Sequence, residues 1–166
     1  MQLTHYNTNF KRRIFPITLV CDHVTNAPNL GGLFRIADTF GVEKLILCGK
    51  NIPLGRKMTK TSRATEKFVS YEVFDSVLKV VQDLKSKEYQ IISLEITENS
   101  EPLDTFKFST QKPIALIIGN ENFGVSEAIL NNSDAIVHIA MFGQNSSMNV
   151  VQATNIALYE ITKQLL

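Results

Sequence analysis

Tryptophan is absent from this chain of 166 residues, cysteine occurs twice and histidine three times, and no apolar run approaches the roughly 20 residues of a membrane span. The two cysteines, Cys21 and Cys48, lie in apolar strand-like runs with no CxxC spacing, which excludes a disulfide scaffold and a thiolate metal centre. They read as buried, reduced thiols. His5, His23 and His138 share no ligand spacing, so no metal site is expected. The N-terminus MQLTHYNTNFKRR lacks the apolar core of a signal peptide, and a soluble, cytoplasmic protein without a membrane partner is expected. Glycine (8) and proline (5) are too few for a collagenous or low-complexity chain, whereas 44% hydrophobic residues can fill a core. The length suits one domain, with residues 1–15 as a polar, basic arm and 16–166 as the folded unit.

A basic excess is also missing: the net charge is +1. That average conceals an asymmetry. Residues 1–70 hold eleven Lys and Arg against four acids, and the remainder holds six against twelve. Such a split suits a polyanion partner for the first part. Lys11, Arg12 and Arg13 in the arm, and Arg56, Lys57, Lys60 and Arg63 in the Lys50–Lys67 segment, are the candidate contacts for such a polyanion.

Short β-branched runs alternate with helical periods along the chain. Pro16–Cys21, Lys44–Cys48, Phe68–Val73, Gln90–Ile96, Pro113–Gly119 and Ala135–Ala140 read as strands. Leu30–Phe40, a segment capped by Asp75 or Ser76, a short piece over Ser126–Asn131 and Asn149–Leu166 read as helices, whereas Gly49–Ser62 shows no period and reads as a long loop. The alternation predicts an α/β fold, a mainly parallel sheet with helices on both faces. Ligands then bind beyond the carboxyl ends of the strands.

Three post-strand segments carry polar chemistry there. In Asn29-Leu30-Gly31-Gly32-Leu33-Phe34-Arg35, paired glycines allow close approach of a ligand, and Arg35 amid apolar neighbours calls for a cleft or an anionic partner such as Asp38 or Glu121. In Gly119-Asn120-Glu121-Asn122-Phe123-Gly124 a carboxylate follows the most apolar strand. In Gly143–Val150, Ser147 or Asn149 suits the N-cap of the last helix. None of these is a Walker loop or a dinucleotide fingerprint, which argues against a flavodoxin- or Rossmann-type nucleotide module.

Together, NLGGLFR, IIGNENFG and MFGQNSSMNVVQATNIALYE resemble, in order and spacing, the three motifs of the SpoU/TrmH family of RNA ribose 2′-O-methyltransferases in the SPOUT superfamily. Ser-Met-Asn-Val stands where the family has Ser-Leu-Asn-Val, and Thr61-Ser62-Arg63-Ala64 lies where many relatives have a glycine before the alanine. The resemblance implies a homodimer, an α/β knot with a deep C-terminal trefoil, and S-adenosylmethionine held by the knot loops. It implies Arg35 as the catalytic arginine, Asn29 as its positioning asparagine, Glu121 as the motif 2 glutamate, and Ser147 and Asn149 as the polar pair of motif 3. Donor contacts would come from Leu94, Gly119, Ile139, Ser147, Met148 and Asn149.

The implied reaction is a displacement in which a ribose 2′-hydroxyl attacks a sulfonium methyl, so the protein mainly aligns atoms and stabilises the oxygen. A guanidinium holds its proton too tightly to be a base, and Arg35 suits an electrostatic clamp on the 2′-oxygen and a neighbouring phosphate. Phosphate, water and Glu121 remain as proton acceptors. The compact form favours a tRNA target over ribosomal RNA, and a non-catalytic knotted RNA-binding homologue is the alternative from another class.

Overall fold

The computed structural model describes residues 2–3 and 7–166; His5 lies outside the described residues. The chain runs β1 (Phe15–Asp22), α1 (Ala27–Thr39), β2 (Val42–Cys48), α2 (Arg56–Ser62), β3 (Tyr71–Phe74), α3 (Val77–Ser86), β4 (Gln90–Leu94), β5 (Glu101–Pro102), β6 (Ile114–Ile118), α4 (Glu127–Leu130), β7 (Ala135–His138) and α5 (Val150–Leu165). The seven strands form one sheet in the order β3-β2-β1-β6-β4-β7-β5, and neighbouring strands pair in parallel.

Side-chain alternation divides the core between the two sheet faces. Ile17, Leu19, Cys21, Leu116 and Ile118 pack with Leu33 and Phe34 of α1 and with Ala157, Leu158 and Ile161 of α5. Val20, Ile46, Cys48, Ala115 and Ile117 face the other way, onto Val80, Val81 and Leu84 of α3 and Ile129 of α4. Strand β6, buried along its whole length, is the central strand that its run of five apolar residues predicts. Cys21 and Cys48 are both free and buried, on opposite faces of the sheet. Burial, with Asp22 nearby, pushes the Cys48 thiol up to about 12, and burial raises Cys21 well above the ordinary thiol value.

Two expectations change. The Gly49–Ser62 segment is not an aperiodic loop but contains α2, whose only buried residues are Met58 and Ser62. Two buried positions in seven make no legible period. Helix α1 also starts earlier than its apolar period indicates: Asn26 caps it, its Oδ1 accepting from the Asn29 N–H at 3.0 Å, and a proline stands in its first turn. Gly31 and Gly32 therefore lie inside the helix. A Cβ on Gly31 would collide with Thr61 Oγ1 and the Met58 carbonyl of α2, and one on Gly32 would stand 3.0 Å from Val151 of α5. The close approach that these glycines allow is of two helices and not of a ligand. Thr61 Oγ1 adds a hydrogen bond to the Pro28 carbonyl at 3.1 Å, which fixes α2 against the start of α1.

Candidate active site

The strand order brings the carboxyl ends of β1, β6, β4 and β7 side by side, and the loops that follow them meet above the sheet. Between them lies a cavity of about 460 Å³, in the range of small-molecule sites. Leu94, Gly119, Ile139, Ser147, Met148 and Asn149, the six expected donor contacts, all line it, as do Asn29 and Glu121. Asn120 and Met141 of the two later motif segments line it too, and so do Glu95, Ile96 and His138, which the sequence did not mark as site residues. Their only signal was position: each follows or ends a strand at that rim.

The three motif segments are joined by side chains. Glu121 Oε1 accepts from the Asn26 N–H at 3.0 Å and from Asn29 Nδ2 at 3.1 Å, and Oε2 accepts from the Thr25 N–H at 3.4 Å. Asn149 Nδ2 donates to Asn29 Oδ1 at 3.1 Å, while Asn149 Oδ1 caps α5 by accepting from the N–H groups of Val151 and Gln152. Asn29 is thus held at both ends of its amide, and its oxygen and nitrogen are assigned by their partners. Burial alone would raise the Glu121 carboxyl, but N–H donors from its own backbone, Asn29, Asn26 and Thr25 hold it below the ordinary carboxylate value. A carboxylate of lowered pKa with both oxygens occupied is a poor proton acceptor.

The glutamate loop is itself fastened on every side. Asn120 and Gly124 exchange backbone hydrogen bonds at 3.0 and 2.9 Å, and Asn120 Nδ2 donates to the His23 carbonyl at 2.7 Å. Gly124 has φ +68°, and a Cβ there would strike the Glu95 carboxylate, which accepts from the Val125 N–H at 2.9 Å. Beyond it, buried Asp22 accepts from the Ser126 N–H and hydroxyl at 3.0 and 2.7 Å, with His23 Nδ1 2.6 Å from its other oxygen. His138, the last residue of β7, lines the cavity with Nδ1 2.9 Å from Ser100 Oγ. Ser147 Oγ lies 3.3 Å from Asn145 Oδ1 at the mouth.

Arg35 departs from expectation. It is exposed, it makes no ion pair with Asp38 or Glu121, and it does not line the cavity. The buried stripe of α1 runs through Leu30, Leu33, Phe34 and Ala37, and Arg35 projects beyond it into solvent. No buried partner is required of a guanidinium that remains hydrated. The exposed Arg56, Lys57, Lys60 and Arg63 of the docked α2 segment flank the same helix and likewise make no ion pair among the described residues. Lys11, Arg12 and Arg13 lie elsewhere. They precede β1 and hence sit at the opposite rim, about 25 Å from the loops at a rise of about 3.3 Å per residue. Arg13 Nη2 donates to the Leu165 carbonyl at 3.1 Å, and its guanidinium lies 4.7 Å from the centre of the Phe15 ring.

Residues 16–159 match the SpoU rRNA Methylase family. The tRNA (guanosine(18)-2′-O)-methyltransferase of Aquifex aeolicus is 29% identical over 157 residues, covering 93% of this chain and 72% of that protein. The 23S rRNA (guanosine-2′-O-)-methyltransferase of Ralstonia nicotianae is 27% identical over 150 residues, covering 90% of this chain and 59% of that protein. Among solved structures, the SpoU methyltransferase AviRb from Streptomyces viridochromogenes in complex with AdoMet has a TM-score of 0.79 at 25% identity, covering 93% of this chain and 62% of that one. The chain thus spans roughly three-fifths to seven-tenths of the length of these proteins.

Proposed function

Because the chain belongs to the SpoU rRNA methylase family, we propose that it transfers a methyl group from S-adenosylmethionine to a ribose 2′-hydroxyl of RNA. The observation that carries this reading is the Glu121–Asn29–Asn149 linkage at the cavity, which joins all three motif segments at one place. The lining fits the donor: apolar walls from Leu94, Ile118, Ile139 and Met148 suit a purine, and the Glu95 and Glu121 carboxylates suit a cation. When bound, S-adenosylmethionine supplies the electrophilic methyl.

The chain's own residues do the positioning. Glu121 and Asn149 hold Asn29 in one orientation, and Asn29 stands in the first turn of the helix that carries Arg35 about one and two-thirds turns on. Arg35, exposed and without an internal anion, clamps the acceptor oxygen and an adjacent phosphate. With Glu121 committed to its donors, the hydroxyl proton leaves to that phosphate or to water. Arg56, Lys57, Lys60 and Arg63 grip the RNA backbone.

We take tRNA as the target class, as the named activity of the Aquifex relative suggests, and the cytoplasm as the setting. The catalytic domain, expected over 16–166 after the arm, takes in Phe15 as the first residue of β1, and α5 completes a trefoil as it returns over α1. The protein acts as a homodimer. The apolar stripe of α5 fills the monomer's own core, so the dimer reading rests instead on the exposed Ile156, Tyr159 and Leu166. Calorimetry with S-adenosylmethionine and methyl transfer to bulk tRNA test the reading. Arg35→Ala is expected to abolish transfer while donor binding persists. Equal activity in the variant, or binding of flavin or nicotinamide nucleotide in place of the donor, would overturn it.

A further inference from the structure

Phenylalanine belongs among the most buried residue types, yet two phenylalanines at the cavity mouth face solvent almost completely. Phe123 is 88% exposed at the tip of the glutamate loop, and Phe142 is 98% exposed on the loop that follows β7. Their neighbours Asn122 and Gly124, and Met141, line the cavity, so the two rings stand on two separate loops around one mouth. The Phe123 position is rigid. Asn120 Oδ1 accepts from the N–H groups of Asn122 and Phe123 at 2.8 and 3.2 Å, and the Asn120–Gly124 backbone pair closes the loop beneath them. A ring held outward by a fastened backbone is ready for a flat apolar partner, because little freedom is lost when the partner arrives.

We infer that Phe123 and Phe142 stack on the nucleobases of an unpaired RNA segment and so present one ribose to the cavity. The inference rests on the methyl-transfer reading. A 2′-hydroxyl that enters a pocket must belong to a nucleotide drawn out of its stack, and aromatic faces replace the stacking it has lost. A phenyl ring offers no hydrogen bond, so this grip tolerates any base and leaves base choice to polar groups at the mouth. A protein subunit seated permanently over both rings would close the mouth through which the ribose has to pass. That consideration favours nucleic acid over a subunit interface.

The test uses the full chain, a short single-stranded RNA carrying 2-aminopurine, whose fluorescence falls on stacking, and the variants Phe123→Ala, Phe142→Ala, Phe123→Trp and Phe142→Tyr. Each alanine variant is expected to weaken binding of the probe by about 5- to 100-fold and to lose the quench. Its salt dependence and its affinity for S-adenosylmethionine are expected to match wild type, and the aromatic replacements to restore binding. Alanine variants that bind and quench like wild type would overturn the inference. So would alanine variants that dissociate a dimer in sedimentation while keeping wild-type affinity for the probe, since the rings would then belong to a subunit interface. Failure of the wild-type protein to bind S-adenosylmethionine would refute the methyl-transfer reading separately, and the quench would still decide the stacking.

Discussion

Replacement of Glu121 separates a positioning carboxylate from a proton acceptor. Its two shorter bonds to groups outside its loop, from Asn26 and Asn29, measure 3.0 and 3.1 Å, and the third, from Thr25, is long at 3.4 Å. A hydrogen bond to an ionised group contributes about 1.5–3 kcal/mol, and partial exposure places these at the lower end, so Glu121→Ala is expected to cost about 2–3 kcal/mol of stability. Glu121→Gln keeps one carbonyl oxygen for Asn26 and Asn29 and is expected to cost about 1 kcal/mol. If that loss falls wholly on alignment of the site, the rate drops about 5-fold. A residue that itself took the proton would instead cost about 100- to 10,000-fold. Single-turnover methyl transfer to bulk tRNA, with urea unfolding of the same preparations, measures both quantities. A fall of more than about 100-fold in Glu121→Gln at nearly wild-type stability would refute the positioning role. The pH dependence supplies an internal control. Because the folded carboxyl is held below its ordinary value of 4.5, its contribution is present in full above that value and is lost as pH falls through the lowered one. The stability gap between wild type and Glu121→Gln is therefore expected to close in acid.

Three further outcomes follow from the packing. Gly31→Ala drives a methyl into Thr61 and the Met58 carbonyl and is expected to destabilise the fold by about 1–3 kcal/mol and to weaken RNA binding as α2 shifts; wild-type denaturation and RNA affinity would count against the docking of α2 through this glycine. Arg63 and Ala64 are consecutive left-handed residues at φ 54° and 66°, so Arg63→Gly is expected to raise stability by about 0.5–1 kcal/mol while weakening RNA binding, as read by thermal melts and filter binding. Cys21 and Cys48, with thiols raised by burial, are expected to resist iodoacetamide in the folded protein at pH 8 and to react in urea, which intact mass spectrometry resolves.

Arg63 shows how far a sequence pattern reaches into the structure. Arg63 ends α2 in the left-handed region, a backbone conformation that favours glycine, which is the residue the family resemblance implies there. An arginine at that place carries a conformational cost that glycine would not. The same limit applies to Glu95 and His138. Both lie at strand ends of the correct rim, yet no residue pattern distinguishes them from other polar residues beside strands.

Elements whose information is local are legible in the order of residues alone. Apolar runs place the buried strands, the period of α3 names its buried face, and the pairs Asp75/Ser76 and Ser147/Asn149 mark helix starts, of which the structure takes Ser76 and Asn149 as the caps. The sequence also marked the three segments that gather at the cavity. How they meet is a matter of the packed chain. The bonds of Glu121 to Asn29 and of Asn29 to Asn149 span 92 and 120 residues, and they exist because the sheet sets β1, β6, β4 and β7 side by side. Tertiary packing decided that α2 is a helix, since docking through Gly31 supplies the stabilisation that its own apolar residues do not. It likewise set Arg35 in solvent and sent the arm residues Lys11 to Arg13 to the far rim. Which face a helix turns outward and which end of a strand a loop leaves depend on neighbours distant in the chain, and no local period records them.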